Sequence, residues 1–101
     1  MKNLEYEEII EILNGYNIKY KSLHCKGDVD LRFKEIRINP VYNQDIETLL
    51  HEFAHIYYKY LPWLTIEEYI ESESQKYLKN NPSAYRVFDC YLKSRTDRLE
   101  Y

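Results

Sequence analysis

His51-Glu52-Phe53-Ala54-His55 is the stretch on which the reading of this chain turns. On a helix, residues four apart project from one face, one turn apart, so the two imidazoles can reach a single metal ion. Glu52 follows His51 by ~100° around the helix. That places it beside the ion rather than on it, where a carboxylate can take a proton from a water. Neutral imidazole suits zinc, and a catalytic zinc site needs a third protein ligand and an open position. The plainer alternative is a pair of surface or core histidines on an ordinary helix.

Working outward, a helix starting at Asn43 or Asp45 carries Ile46, Leu49, Leu50, Phe53, Ala54 and Tyr57 at helical spacing and ends before Pro62. Upstream, Asn3 is a cap for a first helix with Tyr6, Ile9, Ile10 and Leu13 on one face, stopped by Asn14-Gly15. Between the two helices, Ile18-Tyr20-Ser22, Val29-Leu31-Phe33 and Ile36-Ile38 alternate in the manner of strands. Lys26-Gly27-Asp28 and Lys34-Glu35 are the turns expected between them, and Asn39-Pro40 ends the last strand.

Downstream, Thr65 and Glu68 form a capping box opening a third helix over about residues 66–79. Asn80-Asn81-Pro82 breaks the chain, and Tyr85, Phe88, Tyr91 and Leu92 mark a fourth helix that fades into a polar tail. The expected fold is α+β. It has a small three-stranded antiparallel sheet, an N-terminal helix, an active-site helix, a glutamate-bearing helix and a C-terminal helix.

A chain of 101 residues, 45% hydrophobic and 31% charged, has room for one small domain, residues 1–101, with a single core. The formal charge is −3 with acids and bases interspersed, so there is no basic stripe for nucleic acid. Apolar runs fall far short of the ~20 residues that cross a bilayer, and the N-terminus is not signal-like. A cytoplasmic protein is expected, with Cys25 and Cys90 as free thiols. Heavy use of Lys, Glu, Ile and Tyr, the last at 12 residues, fits a thermophile.

For the third ligand, Glu67, Glu68, Glu71 and Glu73 all follow His55 closely enough if the third helix folds back across the second. Glu68 is used by the cap. Glu73 falls in the apolar stripe of Ile66, Ile70 and Tyr77, an odd place for a carboxylate unless it is paired or metal-bound. Glu71 shares a neighbouring face with Ser74 and Gln75, and periodicity alone leaves both open. His24, the one remaining histidine, reads as a structural or cleft-rim residue.

The segment from His51 to His55, followed by Glu71-Ser72-Glu73-Ser74-Gln75-Lys76-Tyr77, resembles the glutamate-zincins, and in so short a chain the minigluzincins. The resemblance covers most of the chain from residue 35 through the third helix. It implies a zincin-like fold and a zinc metallopeptidase that hydrolyses peptide bonds of a peptide or protein substrate, with one Zn2+ ion. In such families the third ligand is a glutamate, with an acidic or amide residue four positions on that steadies a ligand histidine. Mapped here, Glu71 joins His51 and His55 as ligand, Gln75 is its companion, and Glu52 is the catalytic base. Gln75 stands where aspartate is usual, and Ser74 where alanine is.

The resemblance also implies that residues 82–101 can cover the cleft and keep the enzyme latent, within one chain or by exchange of the C-terminal helix in a homodimer. The plainer alternative, which amphipathicity supports equally, is that the fourth helix completes the core. A strand over residues 35–39 is expected to bind substrate by adding it to the sheet edge. The developing oxyanion needs one further donor such as a tyrosine or histidine, and of the many tyrosines available, Tyr57, Tyr58 and Tyr60 among them, most are expected to be packing residues. The competing reading is a non-catalytic zinc-binding regulatory or interaction module. Against it stands Glu52, since a structural zinc site has no use for a free carboxylate beside the metal.

Overall fold

A computed structural model describes residues 1–59 and 67–95. The order of elements is α1 (Tyr6–Leu13), β1 (Asn17–Tyr20), β2 (Gly27–Asp30), β3 (Glu35–Ile38), a 3-10 turn (Pro40–Tyr42), α2 (Asp45–Tyr57), α3 (Glu67–Asn80) and α4 (Ala84–Ser94). The α+β class and all four expected helices are present. The Thr65 capping box, the turn at Pro62 and the tail beyond Arg95 lie outside the described residues.

The helices form where the apolar period is 3.6. In α1, Ile9 and Leu13 are fully buried, and the Glu8 carboxylate accepts the Glu5 backbone N–H at 3.2 Å. The helix therefore opens at Glu5 rather than at Asn3, because this backward-reaching carboxylate satisfies a donor that no helical carbonyl can. In α2, Leu49, Leu50, Phe53 and Ala54 have no exposure, and the helix packs against α3, β2, β3 and α4. It is the axle of the molecule.

The sheet departs from the antiparallel expectation. Its order is β1-β3-β2, with β1 parallel and β2 antiparallel to β3. Period-two alternation places Ile18, Tyr20, Ile36 and Ile38 on the buried face, and the parallel register sets Ile18 beside Ile36 and Tyr20 beside Ile38. Alternation fixes which face is inward but carries no strand direction. Residues 21–26 carry the chain from one edge of the sheet to the other, so β2 and β1 never pair.

The turns move as well. Gly27 and Asp28, expected in a turn, begin β2, and the strand stops at Asp30. The Asp30 carboxylate accepts the backbone N–H groups of Arg32 and Phe33, both at 3.0 Å, and Lys34 takes a left-handed φ of 52°. Leu31 and Phe33 are therefore exposed residues of a turn, not inward residues of a strand.

The last described helix belongs to the core. Ala84 and Phe88 have no exposure, Leu92 little, and Phe88 meets the Tyr6 ring edge-to-face with centroids 5.8 Å apart. Beyond it, the buried Arg95 donates through Nη1 to the Leu13 carbonyl at 3.1 Å and through Nη2 to the Tyr16 carbonyl at 2.7 Å. A cation there also meets the negative end of the α1 dipole. No residue from Ala84 to Arg95 lines the cleft described next.

Candidate metal centre

The α2 helix presents His51 and His55 on one face, with ring centroids 5.1 Å apart. Their side chains are 12% and 22% exposed. Both Nε2 atoms converge on one carboxylate: Glu67 Oε1 stands 2.6 Å from His51 and Oε2 2.9 Å from His55. One ligand atom from each of the three residues can be chosen so that all lie within 4.8 Å of one another. Around zinc the ligand atoms would stand ~3.4 Å apart, from bonds of about 2.0–2.2 Å in a tetrahedron. Two imidazoles and a carboxylate are a donor set that could hold such an ion, although the carboxylate–imidazole separations of 2.6 and 2.9 Å would have to open to admit it.

Glu71 lies one turn further along α3. Its Oε2 is 3.0 Å from His51 Nδ1, and its Oε1 accepts a hydrogen bond from Gln75 Nε2 at 2.9 Å. Gln75 therefore steadies Glu71, and Glu71 steadies His51. The spacing of a glutamate with an acid or amide four positions on is met twice on this helix, by Glu71 with Gln75 and by Glu67 with Glu71. That repetition is the signal in the sequence that admits Glu67 beside Glu71.

The oddly placed Glu73 is explained by pairing elsewhere. Its Oε1 accepts from the Tyr58 hydroxyl at 2.8 Å and lies 3.6 Å from the amino group of Met1. Glu68 is exposed and joins no part of the centre.

Glu52 is 5% exposed and, among the described residues, has no hydrogen-bond partner. Burial pushes its carboxyl up from 4.5 to about 7, a shift opposed by His51 and reinforced by the carboxylates of Glu67, Asp28 and Glu71. Burial also lowers the His55 pKa, opposed in part by Glu67, and so favours the neutral imidazole that a metal requires.

Two cavities meet at this point. One, of 410 Å³, runs between α2 and α3 and is lined by Cys25, Thr48, His51, Glu71 and Ser74 among others. The other, of 430 Å³, is lined by Asp28, Val29, Leu31, His55 and Lys59. Gly27, Glu52 and Glu67 line both. No protein-family model, curated protein or solved structure matches this chain.

Strand β2, not residues 35–39, borders the trough. β3 is hydrogen-bonded on both sides and has no free edge for a peptide, whereas β2 is an outer strand. Its closeness to α2 depends on Gly27: a Cβ there would overlap Thr48 Cγ2 and stand 2.6 Å from the Arg37 carbonyl oxygen. The Arg37 guanidinium pairs with Asp28 across β3 and β2, holding the strand from the outer face. Among the described tyrosines none lines either cavity. Tyr58 is occupied by Glu73, Tyr57 stacks on Phe53 with centroids 6.1 Å apart, and Tyr60 lies outside the described residues. His24 lines neither cavity, although its neighbour Cys25 does.

Proposed function

We propose that this protein is a zinc-dependent peptidase of the minigluzincin kind, with His51, His55 and Glu67 as ligands and Glu52 as general base. What carries the reading is the convergence of both Nε2 atoms on the Glu67 carboxylate beside a buried, unpartnered Glu52. Glu71, the ligand suggested by the family resemblance, is here the residue that orients His51: it meets Nδ1, the nitrogen left over when Nε2 faces the ion.

Zinc at this position would supply a Lewis acid for the carbonyl oxygen and lower the pKa of a water from ~15.7 towards ~7. The remaining chemistry falls to the chain. Glu52 accepts the proton of the attacking water and later delivers it to the departing amine, a task suited to a carboxyl tuned near neutrality. The outer edge of β2 offers backbone groups to an extended peptide lying across both cavities, with the reacting carbonyl where they meet.

Zinc stoichiometry and peptide cleavage, measured on the wild type and on Glu52→Gln, test the proposal. One zinc per chain with cleavage only in the wild type is expected. Zinc binding with no cleavage in either protein would leave the non-catalytic module standing instead.

A further inference from the structure

The cavity between α2 and α3 carries a feature that peptide hydrolysis does not use. Cys25 lies on its rim as an exposed free thiol, with Sγ 3.3 Å from the Gly27 carbonyl oxygen. Its place is fixed by Asn39, which is 3% exposed. The Asn39 side-chain amide donates to the carbonyls of Leu23 and Cys25 at 2.9 and 3.2 Å, and its backbone N–H donates to the Lys26 carbonyl at 2.8 Å. This loop therefore cannot swing the thiol away without breaking three hydrogen bonds.

Independently of the thiol, the same cavity is built to receive something. Glu52 and Thr48, 5% and 4% exposed, line it, and among the described residues neither side chain has a hydrogen-bond partner. Its 410 Å³ is in the range of small-molecule sites.

We propose that Cys25 is a thiol-modification site, and that its mixed disulfide with a small cellular disulfide of the glutathione type fills this cavity and closes the cleft in front of His51 and Glu52. The Cys25 thiolate attacks one sulfur of the small disulfide. A new S–S bond forms as the old one breaks, and the departing thiolate takes up the proton that Cys25 released. Excess thiol runs the exchange backwards. Cys90, exposed on α4, lines neither cavity, so the same adduct there leaves the cleft open.

The proposal rests on the peptidase reading only where cleavage is the readout. The Cys90→Ser chain is treated with oxidised glutathione, and the single adduct is counted by mass. Cleavage should fall in proportion to the adduct, return with reductant, and be insensitive in Cys25→Ser. In the metal-free protein, the adduct should slow carbethoxylation of His51 by diethyl pyrocarbonate. His55, which lines the other cavity, should react as before. Failure to form the Cys25 adduct, full adduct with His51 as reactive as before, or full adduct with undiminished cleavage overturns the proposal. Protection of His51 in a protein that cleaves nothing even when unmodified supports the thiol site and counts against the peptidase.

Discussion

His51 and Glu71 meet at Nδ1, 3.0 Å from Oε2, while the opposite nitrogen of the same ring faces Glu67. One imidazole thus separates the two glutamates into different tasks. Each task predicts a different consequence of removal.

Glu67→Gln should lose tight zinc binding, because the carboxylate shared by both Nε2 atoms is gone. Glu71→Gln should keep the site but weaken it by about 10–100-fold, the usual cost of removing a partner that fixes a ligand histidine. Competition titration against a chromophoric chelator reads both. Equal losses for the two variants would refute the division of roles, and a larger loss at Glu71 would restore it as ligand.

How far the site could be read from sequence follows from the same pair. Helical period fixes that His51 and His55 share a face, since i and i+4 always do. It cannot say which turn of α3 lies opposite them, because that depends on the turn between helices and on how the two backbones pack. The sheet shows a parallel limit. Alternation found the inward residues Ile18, Tyr20, Ile36 and Ile38 but not the neighbour or direction of β1. Asp30, whose carboxylate ends β2 by capping two backbone N–H groups, is a turn signal in the sequence that competes with the alternation of the apolar Leu31 and Phe33.

Glu52 predicts a pH dependence of the metal-free fold. In the unfolded chain its carboxyl ionises near 4.5, in the folded protein at about 7. Below the lower value both states hold the proton, and above the upper value neither does. Between them only the folded state keeps it, so stability falls as pH rises, by about 3 kcal/mol across the interval. His55 acts in the opposite sense: its lowered pKa costs stability as pH falls below 6.5. Urea unfolding of the apo-protein at about pH 5 and about pH 8 should show the difference, and Glu52→Gln should abolish the loss on the alkaline side. An unchanged slope in that variant would assign the effect elsewhere.

Gly27→Ala tests the spacing between β2 and α2. The added methyl collides with Thr48 on one side and the Arg37 carbonyl on the other, so the strand must move outward. Overpacking of this kind costs about 1–3 kcal/mol in stability. Because the proposed ligands sit on α2 and α3, zinc affinity should be kept while cleavage falls. Loss of zinc together with activity would show that β2 supports the ligands themselves.

The C-terminal helix supplies the last prediction, and it runs against a detachable cover. Phe88 is wholly buried against Tyr6, Tyr91 Oη donates to Asn14 Oδ1 at 2.8 Å, and Arg95 satisfies the carbonyls of Leu13 and Tyr16. Cutting the chain after Asn81 would strip the Tyr6 ring of Phe88 and leave those carbonyls without their donor. Phe88→Ala alone should cost about 3–5 kcal/mol, most of the margin of a domain this small. The truncated protein should therefore show no cooperative unfolding transition by circular dichroism and no gain in peptidase activity. A truncated chain that melts cooperatively and cleaves faster than the full one would mean that α4 is a removable lid after all, and that the core formed by α1, the sheet, α2 and α3 stands without it.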